Sequence, residues 1–150
     1  MPEPIRVAVA GAAGRMGTEV VRTVLQADDL ELVGAVDCVR VGESVSSVVG
    51  ADAGDMVILE DIGEALASRN TDVLVDFTTH EPAVKHAKYA IDKHVRPVIG
   101  ATGFTEDEIA ELTNLCKANS VSGMYVPNFA VGAVLMMRFA ELAAKWLPNA

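Results

Sequence analysis

The chain has 150 residues, of which 51% are hydrophobic and 22% charged, a balance that is typical of one soluble globular domain and not of a disordered tail or a fibre. Its formal net charge is -9 and its lysines and arginines form no basic stripe, so we expect no nucleic-acid partner. The longest apolar stretch, Phe129 to Met137, is far shorter than the roughly 20 residues that span a bilayer, so we expect no membrane association.

The first elements predicted along the chain are a strand, a glycine-rich turn, a helix and a second strand. Residues 5 to 10, "IRVAVA", are mostly small and β-branched, as in a parallel strand that is covered on both faces. From Met16 onward apolar residues recur at helical spacing, which predicts a helix over 15–27. Residues 30 to 37, "LELVGAVD", predict a strand that ends on an acid.

The alternation of strands and helices continues to the end of the chain. Residues 40–55, rich in Gly and Ser, predict a loop. Asp61 is expected to cap a helix that runs to Ser68, and Thr105 with Glu108 forms a capping box. Pro82 suits the first turn of its helix, and Pro148 ends the last one. The further strands are predicted at 56–59, 71–77, 96–100 and 122–126, and the helices at 61–68, 82–93, 106–119 and 131–147.

This rhythm predicts the fold class. Parallel neighbours need crossover connections, and helices supply them on the faces of the sheet. We therefore expect an α/β protein with a Rossmann-like doubly wound parallel sheet in three αβα layers.

The turn "VAVAGAAGRMG", residues 7 to 17, carries the first functional signal. Glycines between a strand and a helix let an anion approach the backbone, and the free amides of the helix start bind phosphate oxygens. The spacing of Gly11, Gly14 and Gly17 is one residue longer than the common G-x-G-x-x-G fingerprint, so the triplet alone is a weak signal. The strand before it and the helix after it favour a pyrophosphate site over a mere packing turn.

Three charged residues bear on this hypothesis. Asp37 lies 20 residues after Gly17 at a strand end, where a carboxylate accepts hydrogen bonds from ribose hydroxyls. Arg15 opposes the helix dipole, which suits a bound phosphate, although a solvated surface arginine is the alternative. Arg40 is either a contact to a 2′-phosphate, which would admit NADPH as well as NADH, or an ordinary loop charge.

Four motifs read in order resemble one enzyme family. They are "GAAGRMG", "DFT" at 76–78, "GATGF" at 100–104 and "VPNFAVG" at 126–132, and together they are similar to the 4-hydroxy-tetrahydrodipicolinate reductases. The resemblance implies NADH- or NADPH-dependent reduction of a cyclic unsaturated dicarboxylate in the diaminopimelate route to lysine. It also implies a cytoplasmic homotetramer.

The resemblance also implies roles for residues at the ends of the predicted strands. The glycine turn would hold the pyrophosphate and Asp37 the adenosine ribose, while Thr102 would also contact the substrate. The cofactor-binding residues expected in this way are Gly11, Ala12, Gly14, Arg15, Met16, Gly17, Asp37, Arg40, Phe77, Thr78, Gly100, Ala101, Thr102, Pro127, Asn128 and Phe129. Asp76 is expected to cap the following helix, and Met136 and Met137 to serve in core or interdomain packing.

The sequence departs from the family pattern in two ways. Ala101 stands where the family usually has a threonine, and Val126 where it usually has an alanine. The family's His-His-x-x-Lys-x-Asp-x-Pro-Ser-Gly-Thr segment has no match before Ala150, so we expect no catalytic residue in this chain. The three histidines, His80, His86 and His94, are expected at the surface or at helix ends.

These observations predict the organisation of the chain. Residues 1–130 would form an NAD(P)-binding domain, and 131–150 would begin a substrate and tetramerisation domain that continues beyond this sequence. Cys38 and Cys116 are far apart with no CxxC spacing, and the N-terminus lacks a signal-peptide pattern, so we expect neither a metal site nor secretion. Two alternatives stay open: the nucleotide domain of another dehydrogenase, acting on homoserine or a sugar, and a non-catalytic NAD(P)-binding redox sensor.

Overall fold

A computed structural model describes residues 3–67, 70–127 and 131–146 and contains a parallel sheet of five strands within them. The strands lie in the order β2-β1-β3-β4-β5. Their neighbouring pairs β1–β2, β1–β3, β3–β4 and β4–β5 are all parallel. Their bounds are β1 Ile5–Ala10, β2 Leu30–Val36, β3 Val73–Asp76, β4 Arg96–Ile99 and β5 Met124–Tyr125.

Six helices accompany the sheet in the described part of the chain. Asp61 caps α3 as predicted, since its Oδ1 accepts the Glu64 N–H at 2.9 Å. The predicted capping box of α5 is also confirmed, with the Glu108 N–H donating to Thr105 Oγ1 at 3.2 Å and the Thr105 N–H donating to Glu108 Oε2 at 2.8 Å. The bounds are α1 Arg15–Gln26, α2 Val45–Val49, α3 Ile62–Ala67, α4 His80–Asp92, α5 Glu106–Ala118 and α6 Val131–Trp146.

The helices cover both faces of the sheet, which confirms the three-layer αβα prediction. Val7 and Val9 of β1 pack with α1 and α2 on one face. Ala8 and Ala10 alternate to the other face and pack with α3 and α4. A third cluster joins α4, α5 and the end of β4.

The order of the strands creates a switch point. From β1 the chain goes first to β2 on one side and later to β3 on the other, so the connections leave β1 and β3 in opposite directions. In open α/β sheets, ligands bind in the crevice at the carboxyl ends of the strands at such a point. The loops after β1 and β3 are therefore the expected walls of a site.

Two predicted elements between β2 and β3 differ in the structure. Residues 56–59 are no strand of the sheet: they make only isolated bridges, Val36 with Leu59 and Ser44 with Val57. Residues 40–55 are not all loop, because the short helix α2 lies within them and buries Val45 and Val49. In both segments apolar side chains fill the core beside α1, and of residues 56–59 only Leu59 pairs with β2.

Helix α6 is largely free of the rest of the described chain. Its residues from Gly132 to Trp146 are exposed except for Ala133, which is half-buried. Met136 and Met137 are therefore exposed, which contradicts packing in the core of this part of the chain. The predicted end of the helix at Leu147 and Pro148 lies outside the described residues. None of the described helices has the length and apolar character that crossing a membrane requires.

Candidate functional site at the switch point

The glycine turn after β1 is built from close backbone contacts. Gly11 has a φ of 77°, and a Cβ on it would lie 2.9 Å from the backbone of Phe77 at the end of β3. A Cβ on Gly17 would lie only 1.9 Å from the Gly11 carbonyl oxygen. Glycine is required at both positions because the first turn of α1 is pressed against the loop.

Gly14 differs from Gly11 and Gly17 because it faces an open cleft. It is the N-cap of α1, with φ -75° and ψ 166°, and only the Gly11 oxygen, at 3.1 Å, would contact its Cβ. The Thr18 N–H makes the first helical bond, to the Gly14 oxygen at 2.9 Å. The preceding amides, those of Arg15, Met16 and Gly17, donate to no backbone oxygen within the described chain, so they are available to an anion.

Asp37 at the end of β2 braces the same turn. Its Oδ2 accepts the Ala13 N–H at 2.9 Å, and its Oδ1 accepts the Val39 N–H at 3.1 Å. A carboxylate has about four acceptor sites, so lone pairs remain for two ribose hydroxyls. The structure thus brings Asp37 beside the glycine turn, as the sequence predicted, and gives it a second role in holding that turn.

Arg15 and Arg40 line one cleft with Gly14. Ala13, Thr18, Glu19 and Val48 complete the lining. Arg40 is exposed and adopts a φ of 58°, a conformation that ordinarily favours glycine or asparagine. Among the described residues that line the cleft, Glu19 is the only acid, and it is paired with Arg22. The cleft therefore offers two guanidinium groups to an anion that enters it.

The loops after β3 and β4 form the other half of the site. A Cβ on Gly100 would lie 2.4 Å from Cε1 of the Phe77 ring, so the ring lies directly on this glycine. The Gly100 N–H donates to the Asp76 backbone oxygen at 2.8 Å. The structure therefore brings together the "DFT" and "GATGF" segments, which are far apart in sequence.

The buried Asp76 and the half-buried His86 form a pair that the sequence interpretation missed. Asp76 is 1% exposed, and His86 Nδ1 lies 2.8 Å from its Oδ2. Asp76 Oδ1 accepts both the backbone N–H of Thr78 at 2.8 Å and its hydroxyl at 2.6 Å. The expectations that Asp76 caps α4 and that His86 is a surface residue were therefore wrong, because the N-cap is Thr79 and His86 points inward.

One signal in the sequence could have revealed His86. It lies three residues after Ala83 and four before Ala90, on the stripe of small residues that α4 buries. A histidine on a buried helix face requires a polar partner, and the acid at the carboxyl end of the preceding strand, over which the helix packs, is a candidate for that partner.

His80 connects the start of α4 to the start of α5. Its Nε2 lies 2.8 Å from Glu108 Oε2, and its ring meets that of Phe104 edge-on at a centroid distance of 5.4 Å. The pKa of Glu108 is lowered, first by the hydrogen bond from the Thr105 amide and then by His80. His80 lies at a helix start and His94 is exposed after the helix end, as predicted.

The remaining predicted residues differ in what they can offer. Ala12 and Ala101 are buried, so a ligand can contact only their backbone. Met16, Thr102 and Pro127 are exposed. Asn128 and Phe129 lie outside the described residues.

Cys38 and Cys116 are free thiols, and burial raises the pKa of Cys116. No cluster of three or more His, Cys, Asp or Glu in the described residues could hold a metal ion.

Comparisons with known proteins point to one family of reductases. Residues 5–129 match the family model described as "Dihydrodipicolinate reductase, N-terminus". The chain is 45% identical over 146 residues to the 4-hydroxy-tetrahydrodipicolinate reductase of Moorella thermoacetica, covering 97% of this chain and 55% of that protein. The enzyme of the same name from Halalkalibacterium halodurans is 43% identical over 145 residues, with coverages of 97% and 55%.

Solved structures support the same likeness. The dipicolinate-bound dihydrodipicolinate reductase from Paenisporosarcina sp. TG-14 matches with a TM-score of 0.78 and 37% identity, over 94% of this chain and 54% of that one. The S. aureus homoserine dehydrogenase matches with a TM-score of 0.65 at 16% identity, over 81% and 32%, which reflects a shared fold alone. The chain thus spans about half the length of the curated relatives it matches.

Proposed function

Because the chain belongs to the dihydrodipicolinate reductase family, we propose that it is the nucleotide-binding part of an enzyme that reduces 4-hydroxy-tetrahydrodipicolinate to tetrahydrodipicolinate with NADH or NADPH. This reaction belongs to the diaminopimelate route to lysine. The single structural observation that carries the proposal is the glycine turn, in which the unpaired amides of Arg15 to Gly17 start a helix beside an open cleft.

The residues of the switch point fit a dinucleotide. The amides after Gly14 and the Arg15 guanidinium hold the pyrophosphate, because both are positive and the missing Cβ of Gly14 leaves room for it. Asp37 accepts the hydroxyls of the adenosine ribose. Phe77, Thr78 and Gly100 line the nicotinamide half. A bound coenzyme would supply a hydride, and the residues of the switch point would bind and orient that coenzyme.

Arg40 supports use of both coenzymes. It lies in the same cleft as Gly14 and Arg15 and has no ion-pair partner among the described residues. The Arg40 guanidinium would donate two hydrogen bonds to a 2′-phosphate on the adenosine ribose. We therefore propose that NADPH is bound as well as NADH.

The domain division is part of the proposal. Residues 1–130 form the nucleotide domain, and 131–150 begin the substrate and tetramerisation domain. The exposure of α6 supports this, because its apolar residues Leu135, Phe139 and Trp146 find no cover in the described part of the chain. In this proposal the proton donor and the main substrate contacts are not among the residues of this chain.

The substrate contact within this chain is Thr102. It is exposed in the loop after β4, next to Gly100, so its hydroxyl is free to meet a carboxylate of a small cyclic dicarboxylate. A cytoplasmic location accords with the proposed coenzymes and with the free thiols of Cys38 and Cys116.

Calorimetric titration with NADH tests the proposal. We expect the chain to bind NADH and the Gly14→Val variant to lose at least roughly tenfold in affinity, because the isopropyl group fills the space over the free amides. The extended backbone at Gly14 suits valine, and the Gly11 oxygen, 3.1 Å from the added Cβ, must yield by only a few tenths of an ångström; circular dichroism verifies that the variant folds. Ala110→Val, at an exposed position of α5, is the matched control and should bind like the parent chain. Unchanged NADH affinity in Gly14→Val would refute the assignment of the turn.

A further inference from the structure

The pair of Asp76 and His86 has no role in the function proposed above. Both groups are polar, and Asp76 is almost completely buried below the loop that follows β3. A carboxylate only accepts hydrogen bonds, so the Nδ1 that faces it carries the hydrogen and donates. His86 therefore fixes Oδ2 of Asp76 from the side of α4, while Oδ1 stays turned toward Thr78.

The bond to Asp76 fixes the direction in which the Thr78 hydroxyl donates its hydrogen. Its hydroxyl has one hydrogen, and both acceptors within its reach belong to the protein: Asp76 Oδ1 at 2.6 Å and the Thr79 oxygen at 3.3 Å. The much shorter contact assigns the hydrogen to Asp76. The Thr78 oxygen then has only lone pairs left to offer to a ligand.

We propose that His86 is a positioning residue for the bound coenzyme, acting through Asp76 on Thr78. The hydrogen bonds from His86 to Asp76 and from Thr78 to Asp76 orient the Thr78 hydroxyl so that its oxygen can only accept. It accepts a hydrogen bond from an N–H or O–H donor on the nicotinamide half of the coenzyme. The inference rests on the proposed function, since it assumes that the coenzyme lies along the loop after β3. His86 itself does not touch the coenzyme.

Loss of His86 has a specific consequence. Without the donor on Oδ2, the carboxyl group of Asp76 is fixed only by its two bonds to Thr78, so the two side chains are free to move together and the Thr78 hydroxyl loses its fixed orientation. A coenzyme donor would then meet a mobile hydroxyl and lose about one hydrogen bond, which corresponds to roughly three- to tenfold weaker binding.

A double-mutant cycle with NADH tests the inference. His86→Leu and Thr78→Val are each expected to weaken NADH binding roughly three- to tenfold, and the double variant no more than either single one, because both break the same path. His86→Asn is expected to restore binding, since its side-chain amide nitrogen stands two bonds from Cβ, as Nδ1 does. Circular dichroism and thermal melting verify the fold of each variant.

A second readout needs no coenzyme. The Thr78 amide donates to Asp76, so its hydrogen exchange is expected to be faster in His86→Leu and slow again in His86→Asn. Additive losses in the cycle, or no rescue by asparagine, would overturn the positioning role. If His86→Leu does not fold, undiminished NADH affinity in Thr78→Val alone overturns it.

The two proposals fail in different ways. If the parent chain does not bind NADH, the proposed function itself is wrong and the inference falls with it. If the parent chain binds NADH and Gly14→Val does not, while the His86 and Thr78 variants bind like the parent, only the inference is wrong.

Discussion

Replacement of Gly17 by alanine tests the close approach that shapes the glycine turn. The added Cβ would lie 1.9 Å from the Gly11 oxygen and 2.6 Å from the Gly11 carbon, whereas real Cβ atoms essentially never come within 3.0 Å of such atoms. The atoms that the Cβ would meet are backbone atoms of the loop, and the Cβ itself is fixed to the backbone of α1. Helix α1 must therefore move by about 1 Å away from the loop. A side-chain rotation cannot relieve the clash.

The size of the effect follows from two opposing contributions. Overpacking costs about 1–3 kcal/mol, and alanine regains about 0.5–1 kcal/mol because it suits a helix better than glycine. We expect a net loss of about 1 kcal/mol in the free energy of unfolding, which lowers the melting temperature by about 2–4 °C in a domain of this size.

Thermal and urea unfolding measured by circular dichroism provide the assay, and Gly132→Ala is the matched control. Gly132 is also an early residue of a helix, and a Cβ there would have no neighbour within 4 Å. The control should therefore unfold at the temperature of the parent chain or slightly above it. A Gly17→Ala variant as stable as this control would refute the geometry of the turn.

Two further predictions concern charges. Arg40→Ala is expected to weaken NADPH binding more than NADH binding, because only NADPH carries the 2′-phosphate; equal losses in calorimetric titrations would remove Arg40 from coenzyme selection. Glu108 has a lowered pKa in the fold, so its contribution to stability is present above the unfolded value of about 4.5 and disappears as the pH falls through the lower folded value. Urea midpoints of the parent chain and of Glu108→Gln should therefore differ near neutral pH and converge in acid, and a constant difference would contradict the pairing with Thr105 and His80.

The sheet and its helices could be predicted because local patterns decide them. Continuous apolar runs identified β1, β2, β3 and β4, and cap residues such as Asp61 and Thr105 identified helix starts. The segment 56–59 misled because its apolar residues fill the core beside α1 and α2, while only Leu59 pairs with the outer edge of β2. A pattern of burial does not by itself specify hydrogen bonding to a sheet.

The site was predictable where backbone geometry dominates and less so where side chains meet across elements. The glycine turn and Asp37 follow from spacing after a strand. The pair of His86 and Asp76 depends on how α4 rotates over β3, and the contact of Phe77 with Gly100 depends on the order of β3 and β4 in the sheet. Such contacts arise from tertiary packing, which no local window of sequence contains.

The bonds that tie the glycine turn to β2 bear on the thermodynamics of ligand capture. The amides of Gly11 and Ala12 both donate to the Val36 oxygen, at 2.8 and 3.0 Å, and that of Ala13 donates to Asp37. The conformational entropy of this loop is thus lost when the chain folds and not when a ligand arrives. A loop that is ordered in advance binds its ligand with a small entropic penalty and keeps its shape between binding events. It also loses its shape as soon as β2 separates from β1.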